Sequence, residues 1–109
     1  YPTSLSTLAP SYISVVPTDP FTNAAYSYAA LQGPATSAAT CAAYHLGATL
    51  EQTTNSALTG DADGTTGGTY GSGTADGGVC TGGGTDFAGL AATCGAAAGA
   101  TDGCYDVKP

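Results

Sequence analysis

Three sets of side chains here are of types that carry chemistry: one histidine, a pair of neighbouring aspartates and four cysteines. His45 lies in the run Cys41–Glu51, CAAYHLGATLE. A hydrolytic triad would need it beside a nucleophile and an orienting carboxylate. Its place next to Tyr44 in an alternating run makes it a sheet-surface or core histidine. Asp61-Ala62-Asp63-Gly64 sets two carboxylates at i and i+2, and Asp76 follows in the same glycine-rich stretch. Oxygen donors on such a loop suit a hard cation, so Asp61, Asp63 and Asp76 form a candidate calcium set. The EF-hand pattern is not met: Thr65 stands at the next odd position and no glutamate closes the loop. A solvated acidic loop is the plainer reading. As an acid/base pair, Asp61 and Asp63 have no evident pocket to raise a pKa. The expectation is a protein that is not an enzyme, with calcium as its one candidate cofactor.

Cys41, Cys80, Cys94 and Cys104 include no CxxC pair, whereas structural zinc sites present ligands in close pairs. An even cysteine count in a short chain reads as two disulfides formed in an oxidising, extracellular setting. Four cysteines allow three connectivities. The favoured one joins Cys94 to Cys104, closing a hairpin, and Cys41 to Cys80, tying a glycine-rich loop to a strand; the other two stay open.

These groups need elements to position them. At 109 residues the chain makes one domain, and 42% apolar content consists largely of alanine. Its large core candidates are seven tyrosines, two phenylalanines and a few Leu, Ile and Val, so cross-links have much to stabilise. In CAAYHLGATLE, Tyr44, Leu46, Ala48 and Leu50 share one face and Ala43, His45, Gly47 and Thr49 the other, the alternation of a half-buried strand. The spacing predicts this as the central strand, 39–50. A first strand is expected over 25–31, where Tyr26, Tyr28 and Ala30 alternate, and a last one over 105–107. Thr3 or Ser4 would cap one helical turn carrying Leu5 and Leu8. Ser11–Val16 reads as an extended segment packed on the core, Pro17-Thr18-Asp19-Pro20 as a rigid turn, and Thr85–Leu90 as a turn or short strand. Eleven of the 17 glycines fall in Thr59–Gly84, which reads as a Gly/Thr/Asp-rich surface loop. The fold expected is α+β or mainly β: a small antiparallel sheet of three to four strands with that loop and two disulfides.

Charge limits the partners. Eight carboxylates face one lysine and no arginine, for a net charge of −7. Phosphate backbones and anionic membrane surfaces draw on clustered cations, so nucleic acid is excluded as a partner. No apolar run of about 20 residues is present to span a bilayer. Asn23 and Asn55 both fail the N-glycosylation pattern.

Three stretches together resemble the globular domain of bacterial type IV pilins and type II secretion major pseudopilins. One is Tyr1-Pro2-Thr3 leading through Leu5, Leu8 and Tyr12-Ile13 to Pro17-Thr18-Asp19-Pro20-Phe21. The second is Tyr26-Ser27-Tyr28 followed by Tyr44-His45-Leu46-Gly47-Ala48-Thr49-Leu50-Glu51, similar to the "YxLGAxLE" phrase of those domains. The third is Cys104-Tyr105-Asp106-Val107-Lys108-Pro109. They cover a little over a third of the chain, in the family's order. The resemblance implies a pilin-like headgroup without its spine helix, that hydrophobic N-terminal helix being either removed or a separate split-pilin chain. It implies a structural subunit of an extracellular, cell-surface filament of a bacterium, its partners other pilin subunits and the helix. A calcium-binding pseudopilin of a type II secretion system is the alternative, and the family's calcium loop adds weight to the aspartates. A secreted adhesive module using Thr59–Gly84 is a third reading. For the first two, one apolar face of the sheet should be left needing a partner.

Overall fold

The computed structural model describes residues 1–33, 37–63 and 78–109. Its framework is a three-stranded antiparallel sheet in the order β1-β2-β3, with β1 at Ser27–Gln32, β2 at Cys41–Thr49 and β3 at Cys104–Val107. The central strand is the alternating run, paired on both sides. Tyr28 stands opposite Leu46 and Ala29 opposite His45, while Leu46 meets Val107 and Gly47 meets Asp106 on the other edge. The register slips between Leu31 and Gln32, where Gln32 pairs with Cys41. The class is a small mainly β fold with two short 3-10 turns.

Local chemistry explains the first of those turns. The Ser6 amide donates to the Ser4 hydroxyl at the head of Leu5–Leu8, so Ser4 is the cap. At 17–25, Asp19 Oδ1 accepts from the Phe21 and Thr22 amides and from the Thr22 hydroxyl, pinning the proline turn while Thr18 bridges Ala25. One expectation is corrected: Ser11–Val16 does not extend onto the core. The amides of Tyr12 and Ile13 both donate to the Leu8 carbonyl, which keeps the chain turning, and Tyr12 and Val15 are exposed. Thr85–Leu90 is an irregular segment rather than a strand, anchored by buried Phe87, with Leu90 exposed.

Beyond β1 the chain uses the 78–84 segment as a partial fourth edge. The Gln32 amide donates to the Gly78 carbonyl, Ala30 to Gly83, and Cys80 back to Ala30. Leu31 bridges Val79, which packs on the cluster of Ala29, Leu31 and Ala43. Gly83 permits this approach, because a Cβ there would lie 2.3 Å from the Ala30 carbonyl oxygen. Of the three possible connectivities, the structure has Cys41–Cys80 and Cys94–Cys104. The first ties this edge to β2, and the second ties the 85–94 segment to β3.

Candidate functional site

The sheet's two faces differ. On the inner face, Ala29, Leu31, Ala43, His45, Gly47 and Asp106 are covered by Val79 and by the 86–91 segment, where Phe87, Ala88 and Ala91 are buried. The close fit needs small residues. A Cβ on Gly47 would sit 2.5 Å from Phe87 Cε2 and 2.9 Å from Cys94 Sγ. The core therefore combines Leu31, several alanines and the disulfide cysteines with Gly47 beneath the Phe87 ring.

The outer face carries Tyr28, Tyr44, Leu46, Ala48, Tyr105 and Val107, and none of its side chains is charged. All six remain partly or well exposed. Leu46, Ala48, Tyr105, Val107 and Tyr26 line a shallow hollow of about 250 Å³. Tyr26 and Tyr28 also line a second hollow of about 530 Å³, whose far wall is the Thr3–Ser6 turn and Val16–Thr18. Only the Cys41 end is covered: the Tyr1 ring meets Tyr44 edge-on at 4.8 Å, its ammonium donates to the Cys41 carbonyl, and the Tyr28 hydroxyl donates to the Pro2 carbonyl. Leu46, Tyr105 and Val107 thus stand on a face with no covering element among the described residues.

At the β3 edge lies the acidic cluster. Asp61 and Asp63 stand with Asp102, each offering a carboxylate oxygen within 4.8 Å of the others. Asp102 was not part of the set expected from sequence; Asp76 was, and it lies outside the described residues. The missed residue lies just before β3, on a segment that the Cys94–Cys104 bond and the Gly103 hydrogen bonds to Leu50 and Ala91 hold against the sheet. No local spacing could have linked Asp102 to Asp63. Asp61 Oδ1 and Asp102 Oδ1 are shielded from solvent and receive no hydrogen bond. Burial, and then neighbouring aspartates, push the Asp61 and Asp63 carboxyls above the ordinary range, as expected where like charges converge without a cation.

His45 is fully buried on the inner face, with Asp86 and Asp106 at its two ring nitrogens and Phe87 stacked upon it. Among the described residues no serine or threonine is hydrogen-bonded to it, and all four cysteines are in disulfides. Among the described residues, no helix is long and apolar enough to cross a membrane. Comparison with known proteins gives no match: no family model, curated protein or solved structure is significantly similar to this chain.

Proposed function

We propose that this chain is the outer globular domain of a type IV pilin-like subunit, structural rather than enzymatic, which packs through the open face of its sheet onto an apolar helix at the core of an extracellular filament. The observation that supports this reading is the arrangement of the sheet: Leu46, Ala48, Tyr105 and Val107 form an uncharged stretch of the outer face with no covering element among the described residues, while Leu31 and a set of small residues pack inward. Large contiguous apolar surface is uncommon on a protein that works alone. A helix suits this face because its side-chain ridges fill shallow hollows. Repetition of one such contact builds an open, helical assembly. The two disulfides fit an oxidising, extracellular setting.

The test is electron microscopy of native surface material from cells carrying wild-type or Leu46→Asp protein, with exposed Thr101→Asp as the control. Thin fibres containing this chain are expected for the wild type and the control. Leu46→Asp should keep the domain's circular dichroism spectrum yet yield no fibres. Absence of the wild-type chain from any fibre, or normal fibres from Leu46→Asp, overturns the reading.

A second reading, a calcium-binding pseudopilin domain of a secretion system, is favoured by one specific observation. Asp61, Asp63 and Asp102 converge, and two of their oxygens are solvent-shielded without a hydrogen-bond donor. Calcium titration by calorimetry tests it: wild type gives a binding isotherm that Asp63→Ala weakens. A flat wild-type trace removes it.

A further inference from the structure

His45 is not needed for any part of the proposed function, yet it is among the most completely buried side chains of the domain. Its Nδ1 lies 2.7 Å from Asp86 Oδ1 and its Nε2 2.6 Å from Asp106 Oδ2. A neutral imidazole has one N–H and can donate to only one of two carboxylates; the imidazolium donates to both. Asp86 Oδ1 also accepts the Phe87 amide at 3.0 Å, so that oxygen acts as an acceptor toward both partners. The Phe87 ring lies nearly parallel to the imidazole, centroids 3.8 Å apart, closing the site and placing a π face against the cation.

The three residues belong to three segments that backbone pairing joins only in part. His45 is on β2, Asp86 on the segment covering the inner face, and Asp106 on β3. The 86–87 segment has no ladder with β2. Asp106 reaches further: its amide donates to Asp61 Oδ2 and its carbonyl accepts the Ala62 amide, so the 61–62 loop hangs from the same residue.

We propose that His45 is a proton-dependent clip: as the imidazolium it fastens the 86–87 cover and β3 onto the central strand, and loss of its proton loosens both. The charged groups facing it are Asp86 from the cover, Asp106 from β3 and Lys108 just beyond β3, with Asp61 one step away through Asp106, and Asp63 and Asp102 beyond it. Two carboxylates are thereby set against the imidazolium and the Lys108 ammonium. Deprotonation takes one of the ring's two N–H donors and its positive charge from between two buried carboxylates, which is costly away from water.

The sign follows from the balance at the ring. Burial pushes His45 toward the neutral form, but the hydrogen bonds it donates to Asp106 and Asp86 outweigh it and hold its pKa above the ordinary 6.5. A group raised on folding contributes stability that is complete below its unfolded pKa and is lost as pH rises through the folded one. Asp86 acts at the other end. Burial raises its carboxyl, yet the His45 contact and the Phe87 amide leave it below the ordinary range, so its contribution is lost as pH falls through that lowered value. Asp61 and Asp63 are raised carboxyls, so they too weaken the fold as pH rises through their own transitions, which the His45 ring-nitrogen signal tells apart from the clip.

Because the chain has one histidine, the clip can be observed without ambiguity. In the domain labelled with ¹⁵N-histidine, both ring nitrogens should show imidazolium shifts on the acid side of the His45 transition. They should share one transition at a pH above that of an exposed histidine. Amide exchange of Phe87, Asp106 and Ala62, corrected for its intrinsic rise with hydroxide, should lose protection through that same transition. Asp86→Asn should move the transition toward lower pH, since one of the two carboxylates is gone. A ring that titrates at or below the pH of an exposed histidine, or a transition that leaves corrected exchange at Phe87 and Asp106 unchanged, overturns the proposal. Should Asp86→Asn not fold, the wild-type titration with its exchange readout decides alone.

Discussion

Gly47→Ala tests whether the inner face is packed as tightly as its contacts indicate. The new methyl carbon would stand 2.5 Å and 2.7 Å from two ring carbons of Phe87 and 2.9 Å from Cys94 Sγ, all below van der Waals contact. The ring cannot recede freely, because its face is stacked on His45, and Cys94 is bonded to Cys104. Forcing a methyl into a filled site costs about 1–3 kcal/mol. Replacing glycine within a strand by alanine returns about 0.5–1 kcal/mol through the unfolded chain. The overpacking wins, leaving a net loss of about 1–2 kcal/mol, or about 5–15 °C in Tm for a domain near this size. Urea unfolding followed by circular dichroism measures it, with an unchanged m-value showing that the same fold is lost. In the double variant Gly47→Ala/Phe87→Leu the smaller side chain leaves room for the methyl. The two substitutions should therefore couple by at least about 0.5 kcal/mol rather than add. A Gly47→Ala protein as stable as wild type, or a strictly additive double variant, would refute the packing argument.

The disulfides should contribute unequally. By loop-closure entropy, replacing the Cys94–Cys104 pair by serines costs about 3 kcal/mol and the Cys41–Cys80 pair about 4 kcal/mol, given separations of 10 and 39 residues; denaturant midpoints of the two double variants check the order. If the aspartate cluster takes calcium, a hundredfold excess over Kd should raise the stability of the native state by about 2.7 kcal/mol. Thermal melts with calcium and with chelator read this directly, and Asp102→Asn should remove the difference. In acid, wild type should lose stability as pH falls through the lowered Asp86 value, and Asp86→Asn should flatten that part of the profile.

How much of this was legible beforehand depends on the range of each interaction. The alternation in CAAYHLGATLE and the spacing of Tyr26 and Tyr28 are local signals, and they place β2 and β1 within a residue or two of Cys41–Thr49 and Ser27–Gln32. The Ser4 cap and the Asp19 turn are equally local. Ser11–Val16 misled because its apolar residues suggested burial, while nothing in the segment reveals that no strand edge is offered to it. His45 needs partners 41 and 61 residues away, and Asp102 joins Asp61 and Asp63 through the pairing of β3. Such sites exist only once topology is known.

The orientation of β2 carries the most weight for function. Hydropathy alone would turn Tyr44, Leu46 and Ala48 into the core and His45 outward, since a histidine is rarely fully buried. The chain does the reverse, and the cover explains why. A lid whose Phe87 ring stacks on His45 and meets Gly47 leaves no room on this face for rows of aromatic side chains, and Asp86 beside it gives the lid a polar anchor. His45 supplies that anchor through Asp86. The strand's best apolar residues are thereby displaced to the opposite face, where Leu46 sits between Tyr28 and Val107 with no covering element among the described residues. A domain needing only to fold could have buried Leu46 and left His45 in water. Spending the small residues and a buried ion pair on the inside releases Leu46 and its neighbours for contact with something else, which is what substitution of Leu46 by aspartate is designed to detect.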